Sequence, residues 1–269
     1  MKKYKKIGLA LGSGGVRGLA HLGVIKALIK NGIEISYLSG SSIGAWVGAH
    51  YALYRDIEKT ANYTAGKKKE KIASFLEPTT SGLIKGEKLE LMLNEWLGNS
   101  SFSDLKIPFA VAATDLITGN KLVLKNGNVA KAVRASMAVP GFFKPVVINN
   151  WAVVDGGLSN PVPVDLVKEM GAEIVIAVNL DFSAGFPNVS PEKVSLSDVA
   201  GGTVEIMRHH LAQYSCQGAD FIIQPPLRPY SSWKDYFMNN NNGEIIYMAE
   251  KATEKIIPEI KKRMAGLSS

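Results

Sequence analysis

Cysteine is almost absent from this chain of 269 residues, and its single copy, Cys216, excludes a disulfide within the chain. One unpaired thiol fits a reducing compartment. Long apolar runs are absent too, because none approaches the roughly 18 residues of a membrane-spanning helix. The amino terminus, Met1–Leu11, begins like a signal peptide, but its apolar part is short and runs into glycines. We therefore interpret it as a first strand and expect a cytoplasmic protein.

Negative charge is in deficit, which leaves a net charge of +7 and an isoelectric point of about 9.3. The lysines and arginines are concentrated at Lys2–Lys6, Lys67–Lys71 and Lys261–Arg263. Such clusters bind nucleic acid phosphates or anionic lipid headgroups, or they are simply solvated surface. Because no nucleic-acid-binding signature accompanies them, we expect no nucleic acid partner. Peripheral contact with an anionic membrane surface and a merely solvated surface both stay open.

Strands and helices alternate along the first part of the chain. A buried strand at Lys6–Leu11 precedes an amphipathic helix at Leu19–Lys30, and a strand at Ile33–Leu38 leads into another helix. This alternation predicts an α/β fold with a mostly parallel central sheet flanked by helices. We expect one domain over residues 5–265. Residues 56–105 differ in character, and we interpret them as a mostly helical insertion and candidate lid.

The remaining elements follow from apolar runs and amphipathic periodicity. Strands are predicted at Phe109–Ala113, Lys121–Leu124, Val146–Val154 (one strand or a hairpin), Glu173–Asn179 and Asp220–Gln224. Helices are predicted at Glu87–Leu97, Asn128–Met137, Leu196–Tyr214 and Glu244–Met264, and a mobile loop at Asp181–Val194.

A G-x-S-x-G pentapeptide occupies Gly40–Gly44, between a predicted strand and a predicted helix. In this setting the central serine, Ser42, lies on a turn so sharp that glycines must flank it, and its hydroxyl is exposed to a reactant. The amides and dipole of the following helix favour the negative charge that develops during acyl transfer. The alternative is a glycine–serine loop in which Ser42 is an ordinary helix N-cap.

A second glycine turn, Gly12–Gly18, follows the first strand. Consecutive amides in conformations open to glycine form a nest for an anion, so this turn is a candidate oxyanion hole. It also imitates a dinucleotide-binding fingerprint, with Glu34 about 20 residues further on. The third glycine of that fingerprint comes one residue late, however, and the fingerprint leaves Gly40–Gly44 unexplained. A dinucleotide-binding protein is therefore disfavoured.

A serine nucleophile needs a base, and the chain offers four histidines and several aspartates. The chain order of an α/β-hydrolase permits Ser42, Asp155 and either His209 or His210. Both late histidines lie within a predicted helix, which favours solvated positions for them. Asp155–Gly157 is also a good β-turn sequence that requires no function.

Four blocks together resemble the patatin-like phospholipase family, and particularly its compact bacterial members: Gly12–Gly18, Gly40–Gly44, Ala135–Pro145 and Asp155–Gly157. Their order and approximate spacing match from Ile7 to about Leu166. The resemblance implies the patatin-like variant of the α/β-hydrolase architecture. It also implies a lipid acyl hydrolase whose catalysis uses a serine and an aspartate and needs no histidine, metal or cofactor. This chain departs from the family pattern at Ser13, where a glycine is usual, and at Ser41, where threonine is common.

Carried over residue by residue, the resemblance makes Ser42 the nucleophile and Asp155 the base. Partial burial of Asp155 would raise the pKa of its carboxyl and make it a better base. Arg17 has either a catalytic role or a structural one, in which it holds a carbonyl or an aspartate. The implied oxyanion hole comprises Gly14, Gly15, Val16 and Arg17, and the supporting glycines are Gly12, Gly18, Gly40, Gly44, Gly156 and Gly157.

The expected partner is a lipid or another acyl-ester substrate. Phospholipids, lysophospholipids, acylglycerols and acyl thioesters share this chemistry, so the sequence does not choose among them. A thioesterase or small-ester esterase with the same two residues is one alternative, and a non-catalytic lipid-binding or regulatory module is another. The sequence leaves the oligomeric state open.

Overall fold

The structure, a computed structural model, describes residues 5–64, 85–181, 192, 196–227 and 242–266. Its strands are β1 (Ile7–Leu11), β2 (Ile35–Ser41), β3 (Phe109–Asp115), β4 (Lys121–Leu124), β5 (Val146–Ile148), β6 (Trp151–Val154), β7 (Ile174–Val178) and β8 (Phe221–Ile223). Its helices are α1 (Ala20–Lys30), α2 (Ile43–Tyr54), α3 (Ile57–Thr64), α4 (Glu87–Leu97), α5 (Val129–Ser136), α6 (Val164–Glu169), α7 (Leu196–Ser215) and α8 (Asn242–Met264).

The strands form one mixed sheet in the order β5-β6-β3-β2-β1-β7-β8, with β4 also paired to β3. The five strands from β3 to β8 in this order are mutually parallel. Among the strands of the described residues, the antiparallel pairs are those of β4 with β3, β6 with β3 and β5 with β6. The predicted α/β class with a mostly parallel sheet is therefore confirmed. Asn149 and Asn150 both have positive φ at the hairpin turn, as a tight hairpin requires.

Both faces of the central strands are buried, as a parallel sheet covered by helices demands. In β1, Leu9 and Leu11 contribute to the larger hydrophobic core, whereas Ala10 contributes to the smaller one. The same alternation in β7 sends Ile176 to the larger core and Ala177 to the smaller one. Residues from α1, α2, α4, α5 and α8 complete the larger core, and residues around α6 and α7 complete the smaller one.

Strand β2 is longer than the sequence predicts. We expected it to end at Leu38, but it continues to Ser41, because Ser39–Ser41 pair in parallel with Ala110–Ala112 of β3. Two serines and a glycine have low strand propensity, and the pairing of a central strand overrides that preference. The extension carries the chain directly to Ser42.

Two helices of the predicted insertion are described, α3 and α4. Leu93 and Trp96 on α4 are fully buried, so the described part of this region belongs to the core. The lysine cluster at Lys67–Lys71 lies outside the described residues, and the lid role of residues 56–105 stays a prediction.

Candidate active site

The carboxyl ends of β1, β2 and β7 lie side by side and carry the two glycine-rich turns predicted from the sequence. The Gly12 amide donates to the Val178 carbonyl over 3.0 Å, which joins the end of β1 to the end of β7. A Cβ on Gly44 would clash with the Leu11 carbonyl, so the start of α2 lies directly against the end of β1. Ligand sites of parallel α/β sheets form at this end of the strands.

Ser42 has a strained backbone, with φ of 53° and ψ of −120°. A residue with a Cβ rarely adopts a positive φ, and such strain persists only where neighbouring contacts hold it. Here the Ser42 amide donates to Ser136 Oγ over 2.8 Å, and Ser136 Oγ donates to the Ala112 carbonyl over 2.7 Å. Helix α2 begins at the next residue, Ile43. The structure thus has the strand–turn–helix geometry that the pentapeptide predicts.

The Ser42 hydroxyl donates to Asp155 Oδ2 over 2.6 Å, and both side chains are buried. The second carboxylate oxygen, Oδ1, accepts the Gly157 amide over 2.7 Å. Burial raises the pKa of Asp155 from 3.8 to about 6, against the opposing effects of the Ser42 and Gly157 hydrogen bonds and of the Arg208 charge. The direction agrees with the expectation from the sequence, and the carboxyl is a stronger base than an exposed aspartate.

The backbone of Asp155 is held on both sides. Its amide donates to the Ala138 carbonyl over 3.1 Å, and its carbonyl accepts the Thr114 hydroxyl over 2.8 Å. Ala138 lies in the Ala135–Pro145 block, the same block that supplies Ser136. That block therefore positions both halves of the Ser42–Asp155 pair, although the sequence analysis assigned it no role of its own.

All six supporting glycines lie where the chain makes a close approach. A Cβ on Gly18 would collide with the side chain of Ile43, which brings the first glycine turn against the residue after Ser42. The remaining five would each place a Cβ closer than 3.0 Å to a neighbouring atom: Gly12, Gly40, Gly44, Gly156 and Gly157.

The first glycine turn offers unpaired amides. Gly14 has φ of 153° and Gly15 has φ of 56°, and a short 3-10 helix follows from Gly15 to Leu19. Within the described residues, no acceptor is bonded to the amides of Gly14, Gly15 or Val16. The Arg17 amide, in contrast, donates to the Gly14 carbonyl over 3.2 Å. Three of the four predicted oxyanion-hole residues thus have amides free for a ligand.

The Arg17 side chain makes the contacts of the structural alternative. Its Nε donates to the Gly14 carbonyl over 3.3 Å, and one terminal nitrogen bonds Asp181 Oδ1 over 3.1 Å. Asp181 also bonds Ser13 and Arg208. Neither Asp181 nor Arg208 is among the site residues predicted from the sequence. We placed Asp181 at the start of a mobile loop, but it is buried at the carboxyl end of β7. Its position after a central strand was the available signal.

The late histidines do not contact Ser42 or Asp155 in the described part of the chain. His210 is exposed on α7, in agreement with a solvated position. His209 is half-buried instead, because its Nδ1 bonds the Asp181 carbonyl over 2.7 Å. His21 is also buried and donates from Nε2 to the Gly12 carbonyl over 2.8 Å. Burial lowers its pKa to about 4, so it is a neutral support of the glycine turn.

The described residues contain no helix that is both long and apolar enough to cross a membrane.

Known proteins similar to this chain match about two thirds of its length. An uncharacterized NTE family protein of Mycobacterium tuberculosis is 35% identical over 184 residues, which cover 68% of this chain and 51% of that protein. Human patatin-like phospholipase domain-containing protein 6 is 32% identical over 182 residues, which cover 65% of this chain and 13% of that protein. The Drosophila melanogaster neuropathy target esterase sws matches to the same extent. The chain thus spans about half or less of the length of these relatives.

Among solved structures, VipD from Legionella pneumophila has the same fold, with a TM-score of 0.63 at 12% identity. The match covers 95% of this chain and 67% of that one. The family model described as patatin-like phospholipase matches residues 9–168, nearly the span over which the four sequence blocks occur. On this match, the chain belongs to the patatin-like phospholipase family.

Proposed function

We propose that this protein is a serine acyl hydrolase that cleaves carboxylic esters of lipids, with Ser42 as nucleophile and Asp155 as base. The observation that carries the proposal is the 2.6 Å hydrogen bond from the Ser42 hydroxyl to Asp155 Oδ2 at a strained strand–helix turn. A serine hydroxyl is a weak nucleophile until a positioned base accepts its proton, and this pair supplies both groups.

The first half of the reaction forms an acyl-enzyme. Ser42 Oγ attacks the ester carbonyl carbon while its proton passes to Asp155 Oδ2. The negative charge moves to the carbonyl oxygen, which the amides of Gly14, Gly15 and Val16 stabilise. The C–O bond to the alcohol then breaks, and the departing oxygen takes the proton from Asp155.

The second half regenerates the enzyme by the same transfers with water as the nucleophile. Asp155 accepts a proton from the water as its oxygen attacks the acyl carbon. The tetrahedral intermediate collapses, the bond to Ser42 Oγ breaks, and the proton returns from Asp155 to that oxygen. The products are a carboxylic acid and free Ser42.

A lipid substrate is supported by exposed apolar side chains near the antiparallel edge of the sheet, where β6 leads directly to Asp155. We call these side chains, which lie on the β5–β6 hairpin and on the segments that follow β3, precede β5 or follow β6, the apolar edge: Leu116, Ile117, Val139, Phe142, Val147, Trp151 and Leu158. Ile117 is 80% exposed and Val147 is 66% exposed. Apolar groups at such exposure suit contact with a lipid aggregate. The names of two relatives, a phospholipase and an esterase, point the same way.

The nucleophile is tested with a fluorophosphonate probe, which reacts covalently with an activated serine, and with esters from C2 to C16. Ser42→Ala is expected to lower ester hydrolysis by about 10⁶-fold and to abolish labelling, as loss of a serine nucleophile does elsewhere. Ser103→Ala, at an exposed serine near the amino end of β3, is the matched control and keeps both. A wild-type protein that neither binds the probe nor hydrolyses any ester would be a non-catalytic lipid-binding module instead.

The substrate class is tested at the apolar edge. Replacing Phe142 and Trp151 by Ser is expected to slow hydrolysis of a micellar phospholipid several-fold and to leave a soluble short ester unaffected. Tyr247→Ser, at an exposed aromatic of α8, is the control. Equal rates of the edge variant and wild type on micelles would contradict a lipid-facing edge. Faster cleavage of acyl thioesters than of any oxygen ester by the wild type would favour a thioesterase.

A further inference from the structure

Asp181 gathers three side chains from separate parts of the chain at the carboxyl end of β7. Its Oδ2 accepts the Ser13 hydroxyl over 2.9 Å, and its Oδ1 accepts Arg17 over 3.1 Å and Arg208 over 2.9 Å. Its own amide donates to Asn179 Oδ1 over 2.9 Å. Asp181 is fully buried, so every one of these bonds is shielded from water.

Two of the three partners belong to the glycine turn. Ser13 precedes Gly14 directly, and Arg17 Nε donates to the Gly14 carbonyl. One carboxylate therefore holds the turn at both ends of the segment whose amides are unpaired. The serine at position 13, where the family pattern has glycine, gains a physical role here because a glycine would have no hydroxyl to donate to Asp181.

The third partner links the cluster to the base. Arg208 comes from α7, and its positive charge lowers the pKa of Asp155, whereas the negative charge of Asp181 raises it. These are the charged groups of the described residues that act on Asp155, from α7 and from the end of β7. The negative charge of Glu205 acts to raise the pKa of both Arg17 and Arg208.

We propose that Asp181 and Arg208 are positioning residues of this active site: Asp181 orders the glycine turn through Ser13 and Arg17, and it ties the guanidinium of Arg208 on α7 to that turn. This inference rests on the proposed function of the Ser42–Asp155 pair. The buried guanidinium of Arg17 needs a carboxylate beside it, since an uncompensated buried charge is costly, and the half-buried guanidinium of Arg208 shares the same carboxylate oxygen. Through Ser13 and Arg17, Asp181 also holds the amides of the glycine turn in position to donate to the developing oxyanion. Small displacements of these donors lower the reaction rate.

The rate of hydrolysis falls at acidic pH when Asp155, the base, takes up a proton, so the acidic limb of the pH–rate profile reports the pKa of Asp155. The test uses two variants that are expected to move this limb in opposite directions. Asp181→Asn removes a negative charge, so the pKa of Asp155 falls and the limb moves to lower pH. Arg208→Gln removes a positive charge, so the pKa rises and the limb moves to higher pH. Each shift is expected to be roughly half a pH unit or more. A merely structural defect has no reason to produce opposite signs.

Rate constants separate positioning from substrate binding. Asp181→Asn is expected to lower kcat about tenfold while changing KM less than about threefold, because the misplaced amides act in the transition state. Arg208→Lys keeps the charge and is expected to restore the limb to its wild-type pH. Arg263→Gln, which breaks an exposed ion pair with Asp220 beside β8, is the matched control and changes neither kcat nor the limb.

The protonation of Asp155 can also be followed without catalysis, by measuring the ¹³C NMR shift of its carboxyl carbon as a function of pH in the intact protein. Opposite displacements in the two variants support the proposal even if wild type hydrolyses nothing, which would overturn only the proposed function. Displacements in one direction, or none in either variant, overturn the positioning roles. If Asp181→Asn does not fold, Arg208→Gln against Arg208→Lys still tests Arg208, and Ser13→Ala, which removes one bond to Asp181, takes its place in the rate measurement. An unchanged kcat of Ser13→Ala would then overturn the role of Asp181 in ordering the turn.

Discussion

Two buried aspartates lie at the same end of the sheet and are treated differently by their surroundings. Asp181 accepts two guanidinium groups and a hydroxyl. Asp155 accepts a hydroxyl and a backbone amide, and it has no ion pair within the described residues. Ion pairing compensates the buried charge of Asp181, whereas burial raises the pKa of Asp155 to about 6.

The difference separates two uses of a buried carboxylate. A carboxylate that is paired with cations, as Asp181 is, holds separate parts of the chain together. The charge of Asp155 is unfavourable because burial outweighs its two neutral donors, and a proton relieves it, so Asp155 is suited to proton transfer. Three predictions test whether these two roles are truly distinct.

The largest expected difference is in rate. Asp155→Asn removes the base and is expected to slow hydrolysis of a soluble ester by about 10²- to 10⁴-fold, against about tenfold for Asp181→Asn. His209→Ala and His210→Ala are expected to cost less than about threefold, because neither ring contacts the pair. A histidine variant that lost activity while Asp155→Asn kept it would establish a histidine-dependent hydrolase.

The next difference is in stability, with opposite signs. Asp181→Asn leaves the buried Arg17 and the half-buried Arg208 without a carboxylate and is expected to lower the free energy of unfolding by about 3 kcal/mol. Asp155→Asn is expected to raise it at pH 8 by up to about 3 kcal/mol, which corresponds to a pKa raised from 3.8 to about 6.

The pH dependence follows from the sign of that shift. A carboxyl whose pKa is raised by folding stabilises the protein fully below its unfolded pKa, and this contribution is lost as the pH rises through about 6. The advantage of Asp155→Asn over wild type should therefore vanish near pH 4. Urea unfolding at pH 4, 6 and 8 measures it, and an advantage independent of pH would contradict the buried charge as its cause.

The smallest difference concerns the serines that donate to the two aspartates. Ser42 has a positive φ, so Ser42→Gly relieves strain and is expected to be about 1 kcal/mol more stable than Ser42→Ala. Ser13 has no such strain, so Ser13→Gly only loses the bond to Asp181 and is expected to cost about 1 kcal/mol. Thermal unfolding of Ser42→Gly, Ser42→Ala and Ser13→Gly measures these differences in stability. Equal stability of Ser42→Gly and Ser42→Ala would show that the turn at Ser42 is unstrained.

Local signals in the sequence were sufficient for most of the framework. Runs such as Ile7–Leu11 and Ile174–Val178 are continuous and apolar because both faces of a central parallel strand are buried. The pentapeptide Gly40–Gly44 predicted its own turn, because only that geometry needs small residues on both sides of a serine. The end of β2 was missed, since tertiary pairing rather than composition extends it through Ser39–Ser41.

By itself, the sequence determined the alternation of strands and helices and the two glycine turns, since these depend on local periodicity and on contiguous motifs. The candidate pair Ser42 and Asp155 came from the resemblance of four sequence blocks to a known family. Only the tertiary structure decided which polar residues surround them. Asp181 lies 168 residues from Ser13 along the chain, yet their side chains are bonded. The strand order of the sheet brings them together, and no local pattern in the sequence encodes a contact between the ends of β1 and β7.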